Sequence, residues 1–203
     1  MLAPLAGPAL ELILNRRLRE QIRDAVIGRA ELESGRLPGA QEVVVAFVDI
    51  VGFTELGEQV PADELGAVVR DFELRVEAAV EPPVRLVKTI GDAAMLVSHE
   101  PDPLLDTVLN LVDGSSADPR ELLLRGGIAA GEALQRAGDW YGRPVNLASR
   151  LTSFARRGSV VATGEVRTAV RGEYRWSFAG NRRFKGVTGE VAVNRVRAGR
   201  PTG

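Results

Sequence analysis

Two carboxylates stand where apolar runs stop. Asp49 ends the apolar part of VVVAFVDIVGFT, residues 43–54. That stretch reads as a buried strand, where a charge is costly unless it has a partner. Asp92 closes KTIGD, at the Gly91–Asp92 turn of VRLVKTIGDAAMLVSH, which reads as two strands of a hairpin. A lone acid at a strand end is explained by turn capping. Two, each with a glycine close by, point instead to hard oxygen ligands for a divalent cation. With no His or Cys beside them, Mg²⁺ or Mn²⁺ fits, completed by water and phosphate oxygens. Past the strand end, the backbone N–H groups at Phe53 and Thr54 offer a seat for a phosphate chain.

A second set is cationic or amide-bearing. Lys88 lies four residues before Asp92 on the same hairpin, and Lys185 sits in RFKG. In NLASR, Asn146 and Arg150 are one helical turn apart and share a helix face. Each of these alone also reads as a solvated surface group, and Asn146 as a helix-start residue.

Composition narrows the chemistry. There are no cysteines, which excludes disulfides, thiolate metal sites and a cysteine nucleophile. The one histidine, His99, cannot build a His-rich metal centre and reads as structural. Lys+Arg 26 against Asp+Glu 27 gives a net charge of −1, so nothing draws the chain generally to nucleic acid or an anionic membrane. Any polyanion site must be local. No apolar stretch reaches the length of a membrane span, and the charge layout of MLAPLAGPALELILNRRLRE is wrong for a secretory signal. The expected location is cytoplasmic.

These side chains need a scaffold. Residues 8–34 carry an amphipathic helix pattern, with Leu10, Leu14, Leu18, Ile22 and Val26 recurring every four residues until SGRLPGA breaks it. This helix either lies on its own domain or docks on a partner or on a domain absent from the sequence. The expected division is a linker or regulatory helix over 1–38 and a catalytic domain over 39–203. From residue 43 the pattern gives a strand at 43–49, a helix from Pro61 to about Val80, the hairpin, a helix at 101–113 and a strand in LLLRGGIAAGEAL. A helix in RPVNLASRLTSFARR, a strand in SVVAT, a short helix near 165–171 and two closing strands follow. Strand-helix-strand-strand-helix-strand is the α+β, ferredoxin-like βαββαβ order, here with appended elements.

FVDIVGFT, KTIGD, DWYGRPVNLASR and RFKGVTGE occur in that sequence order. Together they resemble the catalytic domain of class III adenylate cyclases over residues 43–197. The resemblance implies the nucleotide cyclase fold and conversion of ATP to 3′,5′-cyclic AMP and pyrophosphate. It matches Asp49 and Asp92, with the Ile50 carbonyl, to the ligands of two Mg²⁺ or Mn²⁺ ions. Lys88 and Asp139 match the pair that reads adenine, Asn146 the ribose-orienting residue, Arg150 the transition-state arginine and Lys185 a phosphate-holding lysine. It further implies a head-to-tail homodimer, with the metal acids from one chain and the purine and transition-state residues from the other. Only seven residues, EALQRAG, separate Gly131 from Asp139, where many members of the family have a longer hairpin arm. A bacterial subgroup has the same shortening. Two alternatives remain: a catalytically silent cyclase-like nucleotide-binding domain, and a guanylate cyclase. Against the second, guanylate cyclases of this family carry Glu and Cys where this chain has Lys88 and Asp139.

Overall fold

The computed structural model of the chain describes residues 39–114 and 122–199. The helix expected over 8–34 lies outside the described residues. Backbone contacts gather Gln41–Gly203 into one compact unit. Its elements are β1 (Gln41–Ile50), α1 (Phe53–Gln59), α2 (Ala62–Ala79), β2 (Arg85–Ile90), β3 (Ala93–Ser98), α3 (Pro101–Gly114) and β4 (Leu124–Arg136). After them come β5 (Asp139–Tyr141), α4 (Arg143–Phe154), β6 (Val160–Thr163), α5 (Gly164–Ala169), β7 (Tyr174–Arg182) and β8 (Val191–Ala198).

The strands lie in the order β2-β3-β1-β4-β6-β8-β7, with β5 hydrogen-bonded to β4 off that path. The first four positions are the βαββαβ core expected from the sequence. The β6, β8 and β7 wing is the appended part, joined through a parallel β4–β6 pairing. Two elements escaped the sequence pattern: the seven-residue α1 and the three-residue β5.

Alternation along β1 sorts its side chains between two cores. Val44, Ala46, Val48 and Ile50 face a cluster built with Phe72 and Val76 of α2, Leu104, Leu105 and Val108 of α3 and Val166 of α5. Val43 and Val45 face a second cluster with Leu147, Ala148 and Leu151 of α4. Each such Leu, Val or Phe removed from water contributes about 1.5–3 kcal/mol, which is why a strand this apolar is covered on both sides. By the same alternation Asp49 emerges on the α4 face. No helix among the described residues is long and apolar enough to cross a membrane.

Helix α4 lies unusually close to β4, and Gly127 permits it. A Cβ added there would stand 2.2 Å from the Thr152 amide nitrogen and 2.6 Å from the Ala148 carbonyl oxygen. Neither backbone atom can step aside without moving the helix. The Thr152 hydroxyl is within hydrogen-bond reach of the Ala148 carbonyl at 2.8 Å and the Phe47 carbonyl at 3.2 Å, tying α4 to β1.

Candidate active site

Strand register brings the acids together. Asp49 is paired across the ladder with Ala93 on β3, and the Ile50 amide donates to the Asp92 carbonyl at 3.0 Å. Asp92, in the turn before β3, therefore sits level with Asp49, and the two carboxyl groups are within hydrogen-bonding reach. Ile50 is the last residue of β1, with its side chain buried. Gly52 follows in the left-handed region at φ 78° and heads α1, so Phe53 and Thr54 open that helix directly beyond the acids. Phe53 packs its ring on the α2–α3 core, whereas Thr54 is exposed.

Burial pushes the Asp92 carboxyl up to about 6, helped by its hydrogen bond to Asp49 and by that group's charge. Its own backbone amide and the Arg125 charge oppose the rise. A carboxyl whose proton affinity rises on folding stabilises the fold at low pH and loses that contribution as pH climbs past about 6. A divalent cation needs both acids ionised. Its apparent affinity is therefore expected to fall steeply below about pH 6. Metal-free chain should melt lower at about pH 7 than at about pH 5, and Asp92→Asn should flatten both trends. Unfolding temperatures and Mn²⁺ titrations across that range check the pair.

Two adjacent, partly buried carboxyl groups, with the proton affinity of Asp92 raised by burial, form a donor set that suits a divalent cation. Among the described residues no group of three or more His, Cys, Asp or Glu could hold a metal. A cation held here would take Asp49 and Asp92 as its side-chain ligands, with water or phosphate oxygens completing the shell.

The second predicted pair also meets. A β-bulge at Val87 shifts the register of β2, so Lys88 lies opposite Met95, on the α4 face. Strand β4 runs past the start of β1 and reverses through Ala137 and Gly138, both at positive φ, so that β5 folds back along it. Trp140 of β5 is buried in the α4-side core, and the next-door Asp139 meets Lys88: Lys88 Nζ donates to Asp139 Oδ2 at 2.5 Å. The Trp140 amide donates to Asp139 Oδ1 at 2.9 Å and the Tyr141 hydroxyl to Oδ2 at 3.3 Å. Asp139 is thus held as an acceptor beside a fixed donor. His99 packs edge-on against Trp140, with its Nδ1 3.0 Å from the Glu42 carbonyl oxygen, the structural role expected of it.

Asn146 and Arg150 lie exposed on α4, and Lys185 is exposed in the loop between β7 and β8. Among the described residues, no hydrogen bond or ion pair within the chain joins any of these three side chains to Asp49 or Asp92. The intrachain structure thus assembles the acid pair and the Lys88–Asp139 pair but leaves Asn146, Arg150 and Lys185 facing outward.

One participant went unread in the sequence. Arg125, opposite Asp49 in the β1–β4 ladder, donates to Asp49 Oδ2 from Nε at 3.0 Å and from Nη2 at 2.6 Å. The available signal was a single charge in LLLRGGIAA, an otherwise uncharged strand pattern.

A family model described as the adenylate and guanylate cyclase catalytic domain matches residues 37–193. The chain is 46% identical, over 98% of its length, to the pH-sensitive adenylate cyclase of Mycobacterium tuberculosis (strain CDC 1551 / Oshkosh), and spans 51% of that relative. The structure is similar to the adenylyl cyclase CyaB from P. aeruginosa, with TM-score 0.69, 21% identity, and coverage of 80% of this chain and 96% of that one. It is equally similar to the guanylate cyclase domain of RhGC from Catenaria anguillulae in complex with GTP: TM-score 0.69, 22% identity, covering 78% and 97% of the two chains. At these identities the structural likeness is one of fold.

Proposed function

The chain belongs to the adenylate and guanylate cyclase catalytic domain family, and from that premise we propose that it converts ATP to 3′,5′-cyclic AMP and pyrophosphate at sites shared by two copies. The observation that carries the choice of ATP is the Lys88–Asp139 pair. Adenine presents N1 as acceptor and its 6-amino group as donor. Lys88 is a pure donor and Asp139 a pure acceptor, so each finds its complement on that edge. Guanine presents the reverse and leaves both charges unpaired. The M. tuberculosis relative, named an adenylate cyclase, points the same way.

In the reaction the ATP 3′-oxygen bonds to the α-phosphorus, the bond from that phosphorus to the β-phosphate bridging oxygen breaks, and pyrophosphate leaves. The hydroxyl proton passes to water or a phosphate oxygen. Asp49 and Asp92, with the Ile50 carbonyl, would hold two divalent cations, Mg²⁺ or Mn²⁺, which acidify the hydroxyl and offset phosphate charge. Asn146 orients the ribose from the partner copy. Arg150, from the same helix, donates to the oxygens on which charge builds, and Lys185 holds the terminal phosphates. The N–H groups of Phe53 and Thr54 border the phosphate path beside the acids.

A C₂ pair of chains supplies each role twice, because one sequence contains both half-sites. Residues 39–203 form the catalytic unit in this reading, and 1–38 a linker to regulatory input. ATP as substrate implies a cytoplasmic location.

Turnover of ATP and of GTP, with Mg²⁺ and with Mn²⁺, over a protein dilution series tests the proposal. Cyclic AMP in large excess over cyclic GMP, with specific activity falling on dilution, is the expected result. Equal yields would remove the adenine assignment, and dilution-independent activity in a confirmed monomer would remove the shared site.

A further inference from the structure

We infer that Arg125 is a resident cation of the acid pair, holding Asp49 in the nucleotide-free chain and discouraging capture of a bare divalent ion. The inference rests on reading Asp49 and Asp92 as metal ligands. Both Arg125 nitrogens that reach Asp49 fall on one oxygen, Oδ2, at 2.6 and 3.0 Å. Geometry of this kind fixes a carboxylate's orientation while leaving Oδ1 for another partner. The contact is built into the ladder, since Asp49 and Arg125 are cross-strand partners on the α4 face. It is also sheltered: the Asp49 side chain is 15% exposed and that of Arg125 28%. The third guanidinium nitrogen, Nη1, reaches the Ser153 carbonyl of α4 at 3.4 Å, which anchors the arginine at the site.

A fixed positive charge in contact with a metal ligand opposes an incoming dication. With two side-chain carboxylates available and one already engaged, free Mg²⁺ or Mn²⁺ finds a weak site. A dication arriving with a triphosphate brings extra oxygen ligands and negative charge that the arginine attracts. Arg125 thereby biases the acid pair towards the metal–nucleotide complex. It is a positioning residue, acting on the ion through Asp49.

Mn²⁺ binding to the full chain, followed by electron paramagnetic resonance with and without the non-cyclising analogue α,β-methylene-ATP, tests this. Removing the charge with Arg125→Gln or Arg125→Met should tighten nucleotide-free Mn²⁺ binding about tenfold and shrink the gain in affinity that the analogue confers. Arg125→Lys, which keeps the charge, should stay close to wild type. A purely structural arginine predicts the opposite sign: a lower melting temperature with Mn²⁺ binding weakened or unchanged. That outcome in whichever neutral variant remains folded, or Arg125→Lys tightening Mn²⁺ as much as the neutral variants, overturns the inference. No Mn²⁺ binding by wild type even with the analogue would instead overturn the reading of Asp49 and Asp92.

Discussion

Mixing Asp49→Ala chains with Arg150→Ala chains is expected to restore roughly a quarter of wild-type turnover, although each variant alone should lose ~10²–10³-fold or more. In a head-to-tail pair each site takes its acids from one chain and its arginine from the other. Asp49→Ala homodimers lack acids in both sites, and Arg150→Ala homodimers lack the arginine in both. Random mixing makes half of the dimers mixed, and each mixed dimer has one of its two sites intact. Within one chain, Arg150 is exposed on α4 and, among the described residues, makes no hydrogen bond or ion pair with Asp49. Cyclic AMP formation, alongside sedimentation to confirm dimers, measures the effect. Confirmed mixed dimers with no recovery would place both residues in the same intrachain site. Because Asp49→Ala strips Arg125 of its ion-pair partner, the melting temperature of that variant must be recorded beside its activity.

The second large expected effect belongs to the Lys88–Asp139 pair, proposed to read the purine. Lys88→Ala or Asp139→Ala is expected to lower kcat/KM for ATP by ~10²-fold or more, because a site built to bond a polar edge leaves its surviving partner unpaired. Lys88→Glu combined with Asp139→Cys should lower the ATP-to-GTP preference by at least ~10²-fold, by offering acceptors to guanine N1–H and a smaller, weakly donating group near O6. Stability separates this role from a structural one. The Lys88 side chain is 36% exposed in the ion pair, and pairs of that kind contribute ~0–1 kcal/mol. The variants should therefore melt within a few degrees of wild type while their nucleotide preference moves. A large loss of stability with unchanged preference would make Lys88–Asp139 a brace for the β4–β5 turn.

Much of the scaffold was legible because its signals are local. The apolar run to Ile50, the Gly91–Asp92 hairpin turn and the Asn146–Arg150 spacing depend on neighbours within about one helical turn or one hairpin. Periodicity alone therefore located the βαββαβ order, and the structure's first four sheet positions agree with it. The short elements were illegible for the same reason. Seven residues of α1 and three of β5 are too few for a period to show, and β5 exists only because β4 offers it a ladder.

By itself the sequence determined which acids, lysines and amides this protein has. It placed Asp49 at a strand end, Lys88 and Asp92 on a hairpin, and Asn146 and Arg150 on one helix face; the strand under Asp139 was not legible in it. Tertiary structure alone decided who meets whom: Asp49 with both Asp92 and Arg125, and Lys88 with Asp139 from 51 residues away. Those meetings follow from strand register, a bulge at Val87 and the recoil of β4. Register is set by burying both faces of the sheet at once, since a slip of one residue would turn every side chain of β1 to the wrong core. That constraint is collective across the sheet, so no single stretch of chain contains it.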